Sequence, residues 1–254
     1  LLPHLLQILG RVVLLGALSR AAIEILWCLS YGYAAIYAKV AELLFPEVLN
    51  LHDYPTTANA AKLLQWAFER WANKEDGEWP EDFPRPIDTP VTGTMELVAD
   101  ELCLCAISVF LHHEVAHCQI DNIEEDDILK KEEHADREAA EIFLNGLDIT
   151  TPFFIKRAVS VAVAFAAIIG LGIIRRQPGK GSHPPDFRRL LNALDPYIGN
   201  DEDHYAWSVA TVILKLHIDQ ASIAAPSVSY STFKACAYAY ERLINEHLAP
   251  GEKS

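Results

Sequence analysis

His113, Glu114 and His117 form an uninterrupted HExxH pattern at the end of an apolar run. Positions four apart lie on nearly the same face of a helix, so both imidazoles can converge on one metal ion. Glu114 then lies beside the ion rather than on it, where it can take a proton from metal-activated water. The pattern therefore indicates a zinc peptidase. The alternative is an ordinary helix with two exposed histidines, because a chain with ten histidines can contain the pattern by chance.

A second amphipathic helix, predicted over 128–145, carries two carboxylates four residues apart. A catalytic zinc takes three protein ligands and leaves one position open. Glu132 can complete the ligand set, and Asp136 can orient a ligand histidine by accepting its other ring N–H. Two alternatives compete with Glu132 as the third ligand. Glu133 points about 100° away on the helix, and His134 could supply a third nitrogen.

The third element is His183, which precedes Pro184 and Pro185. A proline pair holds the backbone extended before a helix start, so the imidazole would lie on a rigid turn. In that position it could donate a hydrogen bond to the oxyanion that forms when water attacks a peptide carbonyl. The alternative is that the prolines simply begin a helix and His183 is a surface residue.

Three motifs in order resemble the gluzincin metallopeptidases: the HExxH pattern, Glu132-xxx-Asp136, and the Ser-His-Pro-Pro segment at 182–185 with Arg189 and Leu190 behind it. Within them the arrangement is similar to the membrane-associated CAAX-type and heat-shock-type peptidases. It is closer in layout to the bacterial phage-exclusion peptidases, the Lit-like group. The resemblance covers roughly residues 94 to 195.

This resemblance implies a Zn²⁺ cofactor held by His113, His117 and Glu132, with Glu114 as the catalytic base and His183 as an accessory catalytic residue. It further implies hydrolysis of a protein or peptide substrate, in a bacterial phage-defence setting.

Hydrophobic periodicity predicts a mostly α fold, in which the HExxH helix and the Glu132 helix form a zincin-like core with extra helices around it. The predicted helices span 3–45, 56–74, 94–119, 128–145, 152–175, 185–194, 203–219 and 228–248. We expect the first to break near Ser30, Tyr31 and Gly32. Little or no β structure is expected, although a short edge strand within 80–93 could pair with an extended substrate.

Four prolines between residues 76 and 93 predict an extended linker. We therefore expect an N-terminal helical region at 1–75, a Pro-rich linker at 76–93 and a zinc peptidase domain at 94–254.

A formal net charge of −14, with only 21 lysines and arginines, argues against nucleic acid as a partner. The five cysteines are unpatterned, which favours a reducing interior. Residues 1–45 lack the cleavage signature of a signal peptide.

The run from Ala158 to Ile174 contains only Ser160 as a polar residue and is flanked by pairs of cations. It reaches the short limit of a membrane-spanning helix. Its length and alanine content favour a central helix buried on all sides, so a cytoplasmic protein is expected, with membrane association as the alternative.

Two other functions remain open at this level. Glu114-xx-His117 is also the di-iron unit of ferritin-like bundles, but that fold needs a second such unit and the chain has none. A zinc-bound protein that has lost turnover and serves as a binding module is the other alternative, and the intact Glu114 argues against it.

Overall fold

The computed structural model describes residues 20–43, 53–73, 78–119, 128–174, 186–220, 222–224 and 230–248. Eight helices lie within these ranges, and no strand does. They are α1 (Arg20–Leu43), α2 (Pro55–Asn73), α3 (Met95–His117), α4 (Ile128–Leu144), α5 (Pro152–Ile174), α6 (Asp186–Ile198), α7 (Tyr205–Gln220) and α8 (Phe233–Leu248). The predicted mostly α fold is confirmed. Residues 80–93 form turns, bends and irregular backbone, so the edge strand considered possible there is not formed.

Helix α5 lies at the centre of the molecule and packs against α1, α2, α3, α4, α6 and α7. Ten of its twelve residues between Ala158 and Ile169 are buried. Apolar side chains all round a helix are what a position surrounded by other helices requires. Helix α5 therefore forms the floor on which α3, α4 and α6 are arranged.

The predicted break near Ser30 is wrong, because α1 runs unbroken through Ser30, Tyr31 and Gly32. Ser30 satisfies its hydroxyl by donating to the Leu26 carbonyl at 2.8 Å. A Cβ placed on Gly32 would lie only 2.6 Å from the side chain of Leu64 on α2. The glycine thus permits a close approach of two helices and does not end one.

Helix α6 runs four residues beyond its predicted end at residue 194 and contains Pro196. Proline removes one backbone donor, but the buried side chains of Leu194 and Ile198 continue the apolar stripe of the helix past it. The helix ends before Gly199, whose φ of +68° is the left-handed conformation common after a helix.

The Pro-rich segment packs against the N-terminal helices through aromatic rings. Trp79 contacts Trp27 of α1 and Trp66 of α2, with ring centroids 5.9 and 5.1 Å apart. Trp27 donates its indole N–H to Asp100 of α3 at 2.6 Å. The segment therefore packs on α1 and α2, and α1 in turn contacts α3. The division into regions 1–75, 76–93 and 94–254 stays a prediction.

Among the residues that the structure describes, two helices are long and apolar enough to cross a membrane, within Ala21–Glu42 and Pro152–Ile169. Just over half of each segment, 56 % and 61 %, is buried inside the molecule. Core helices of soluble proteins share these properties, so the two helices do not decide between the cytoplasm and a membrane.

Candidate active site

Helix α3 carries the HExxH residues on its buried side. Thr94 begins the helix by accepting a hydrogen bond from the Leu97 backbone N–H at 3.5 Å. The buried stripe then follows helical spacing through Leu102, Ala106 and Val109. His113 and His117 extend that stripe by one and two further turns, so both imidazoles project from the face that meets the rest of the molecule.

Helix α4 presents two carboxylates from an otherwise apolar, small-residue face. Glu132 and Asp136 are 8 % and 7 % exposed, and they share this face with the fully buried Ala135, Ala139 and Ala140. Alanines let α4 approach α3 and α5 closely, because they add little side-chain volume between the helices. The close approach brings carboxylates, which normally lie at a protein surface, into a position facing α3.

The two helices bring three potential metal-binding atoms together. The Nε2 atoms of His113 and His117 lie 3.0 Å apart. Glu132 places Oε2 3.5 Å from the His113 nitrogen and Oε1 3.2 Å from the His117 nitrogen. All three groups fall within 4.8 Å of one another.

These separations fit the chemistry of a zinc ligand set. Two ligand atoms that each lie about 2.0–2.1 Å from a tetrahedral zinc are separated by roughly 3.3 Å. The three observed distances of 3.0, 3.2 and 3.5 Å fall on both sides of that value. Two imidazole nitrogens and one carboxylate oxygen are also the donor types that zinc takes in catalytic sites.

Asp136 lies behind His113, on the side away from the other two groups. Its Oδ1 is 3.0 Å from His113 Nδ1, so the carboxylate accepts the ring N–H that is not turned toward His117. A histidine held in this way presents its free Nε2 in a fixed direction. Asp136 is itself held by Arg189 of α6, whose Nε and Nη2 lie 2.6 and 2.7 Å from its two oxygens.

The pKa values of the two histidines are shifted in opposite directions. Burial lowers the pKa of His113, but hydrogen bonds to Asp136 and Glu132 outweigh it and raise the pKa to about 9. Burial and the neighbouring charge of His113 lower the pKa of His117. A coordinating imidazole must offer a neutral nitrogen, so a metal ion binding here would displace a proton.

A cleft of about 520 Å³ opens over the three groups. One part of its lining is polar and includes Glu114, which is half-buried beside the two histidines. The other part is apolar and comes from α3, α4 and α5. The apolar lining residues are Val109, Phe110, Ala139, Ala164, Phe165 and Ile168.

Of the three groups considered for the third ligand, Glu132 is the one that faces the histidines. Glu133 is exposed. His134 lies beside Arg137, with its Nδ1 2.9 Å from the guanidinium. His183 lies outside the described residues.

Arg189 is the site residue to which the sequence assigned no role. It is 5 % exposed and lines the cleft. An arginine next to the apolar residues of an amphipathic helix could have signalled a buried ion pair, because arginine is almost never fully buried unless it is paired. Its partner could not be read from the sequence, since Asp136 is 53 residues away.

Within the described residues, the helical architecture and the two histidines facing a glutamate define a helical protein with a candidate metal centre. A family model described as Peptidase U49 matches residues 17–210, and the chain belongs to this family. The matched region contains α1 to α6 and every residue of the candidate site.

Among known proteins, the chain is similar to the cell death peptidase of Escherichia coli (strain K12). The two are 27 % identical over 192 residues, which cover 73 % of this chain. The match spans 64 % of the length of that relative. No solved structure matches the chain.

Proposed function

We propose that the chain is a zinc-dependent endopeptidase of the gluzincin type that cleaves a protein substrate. The observation that carries this proposal is the convergence of His113, His117 and Glu132 in a half-buried cleft, with Glu114 beside them. Membership of a peptidase family supports the reaction class.

His113, His117 and Glu132 would hold the zinc ion. Bound there, zinc supplies Lewis-acid chemistry, because it lowers the pKa of a coordinated water to about 7 and polarises the scissile carbonyl. Asp136 keeps His113 in the tautomer whose Nε2 carries no proton and can bind a metal through its lone pair, since the carboxylate accepts the Nδ1–H hydrogen bond at 3.0 Å.

Glu114 is the general base in this proposal. It follows His113 directly on α3 and lines the cleft, so it lies beside the ligand set without belonging to it. Its carboxylate takes the proton of the attacking water as the oxygen bonds to the carbonyl carbon. It then passes that proton to the amine nitrogen as the C–N bond breaks.

We assign His183 the role of stabilising the oxyanion. As carbonyl oxygen gains negative charge, a hydrogen bond from this imidazole would stabilise it, which is the role that the His-Pro-Pro segment predicts.

The setting that we infer is bacterial phage defence in the cytoplasm. It is supported by the sequence resemblance to phage-exclusion peptidases and by the relative named as a cell death peptidase. The cytoplasmic location follows the expectation from the sequence that the alanine-rich run of α5 is a core helix.

The test uses the whole chain, loaded with zinc, on a denatured bacterial lysate whose amines have been blocked. Mass spectrometry then counts the new N-termini. The wild type should generate them, and Glu114→Gln should generate them at least about 100-fold more slowly while keeping its zinc. Glu133→Gln is the matched control, because it removes an exposed carboxylate from α4 and should leave the rate unchanged. Equal rates for wild type and Glu114→Gln would contradict the proposal.

A further inference from the structure

Arg189 makes two sets of contacts inside the candidate site. Its guanidinium forms a two-pronged ion pair with Asp136, at 2.6 and 2.7 Å. The same Nη2 lies 3.5 Å from Glu132 Oε2. The guanidinium also lies over the Phe165 ring of α5, 5.7 Å from its centre.

The ion pair offsets the cost of burying two carboxylates in the site. Two buried carboxylates on one helix face repel each other and lose their hydration, which is costly unless a cation with good geometry pairs with them. The planar fork of arginine matches both oxygens of a carboxylate and fixes its plane. Asp136 held in this way keeps Oδ1 directed at His113 Nδ1.

The neighbouring Arg188 makes a similar ion pair away from the candidate site. The Arg188 guanidinium donates two hydrogen bonds to the carboxylate of the buried Glu241 of α8, from Nε at 2.9 Å and from Nη2 at 3.1 Å. Adjacent arginines of α6 therefore make the same kind of ion pair to two different helices. Both pairs hold α6 in place, but only the pair of Arg189 adjoins the histidines.

We propose that Arg189 is a positioning residue, which sets the metal affinity of the site by holding the Asp136 carboxylate against His113. Arg189 is not one of the proposed metal ligands, and it acts on His113 through Asp136. The inference rests on the proposed function, since it takes a divalent metal to be the ligand of this site.

The experiment measures zinc affinity by competition with a chromophoric chelator, on full-length variants whose helix content is checked by circular dichroism. Arg189→Met and Asp136→Asn should each bind zinc roughly ten-fold more weakly or worse. Because Arg189 acts through Asp136, the double variant should be no weaker than the weaker single variant. Arg188→Met, the matched control, should keep wild-type affinity, and its effect should not depend on residue 136.

Two results would overturn the inference: Arg189→Met binding zinc as tightly as Arg188→Met, or losses from Arg189→Met and Asp136→Asn that multiply. If Arg189→Met does not fold, Arg189→Lys is compared with Arg188→Lys. Lysine keeps the charge but loses the fork, so Arg189→Lys should bind zinc more weakly than Arg188→Lys, and equal affinity would contradict positioning. A wild type that takes up no zinc would instead refute the proposed function, so the two failures are distinguishable.

Discussion

His113 Nδ1 lies 3.0 Å from Asp136 Oδ1, across the interface between α3 and α4. The contact joins the helix that carries the HExxH residues to the helix that carries Glu132. It turns the other nitrogen of the same ring, Nε2, toward His117 and Glu132. One buried carboxylate thus orients a histidine and fixes the spacing of two helices.

Replacing Asp136 by asparagine should therefore weaken zinc binding by roughly 10–100-fold, because the amide no longer stabilises His113 as a charged acceptor does. Competition with a chelator measures the change. Glu241→Gln is the control, since it removes a buried carboxylate from the other arginine pair of α6. If Asp136→Asn loses no more zinc than Glu241→Gln, the carboxylate does not support a metal ligand.

The sequence alone predicted which site residues share a face of α3 and which share a face of α4, because helical geometry determines this. Residues four apart share a face, so the spacing of His113 and His117, and that of Glu132 and Asp136, predicted each pair before the fold was known. Spacing also placed Glu133 on a different face from Glu132, and the structure leaves Glu133 exposed.

Other features depend on contacts between distant parts of the chain. The run Ser30-Tyr31-Gly32 led to the prediction of a helix break, but Gly32 lies in an intact helix, where Leu64 occupies the space that a side chain at this position would need. The partner of Arg189 depends similarly on how α6 packs on α4. Local patterns do not contain such packing information, so the break was predicted wrongly and the ion pair was not predicted.

Ala166→Asp should strongly destabilise the protein. Ala166 is fully buried in α5, and an unpaired carboxylate there costs several kcal/mol, on the order of the whole stability of many domains. Thermal unfolding followed by circular dichroism measures the loss. Leu104→Asp introduces the same charge where the side chain is 65 % exposed, and its melting temperature should stay near that of the wild type.

Fractionation tests the location of the same helix. If α5 is a core helix of a cytoplasmic protein, the intact chain should remain in the supernatant in detergent-free buffer. A chain that sediments with membranes and resists carbonate extraction would show that the cytoplasmic prediction is wrong.

His183→Ala should lower turnover by about 10²–10³-fold and leave the zinc content unchanged, because the imidazole is assigned to the oxyanion and not to the metal. Initial rates on the blocked lysate and metal analysis of the same sample give both quantities. His134→Ala provides the control, since this histidine lies beside Arg137 on an exposed part of α4. Wild-type turnover in His183→Ala would remove the residue from the mechanism.

The proposed reaction requires a single zinc ion held by His113, His117 and Glu132. The most direct measurement is anomalous diffraction at the zinc absorption edge, on crystals of protein purified without added metal, together with elemental analysis. We expect one zinc per chain, about 2.0–2.2 Å from a nitrogen of each histidine and an oxygen of Glu132. Two irons per chain, or a metal bound by Glu133 or His134 in place of Glu132, would contradict the account.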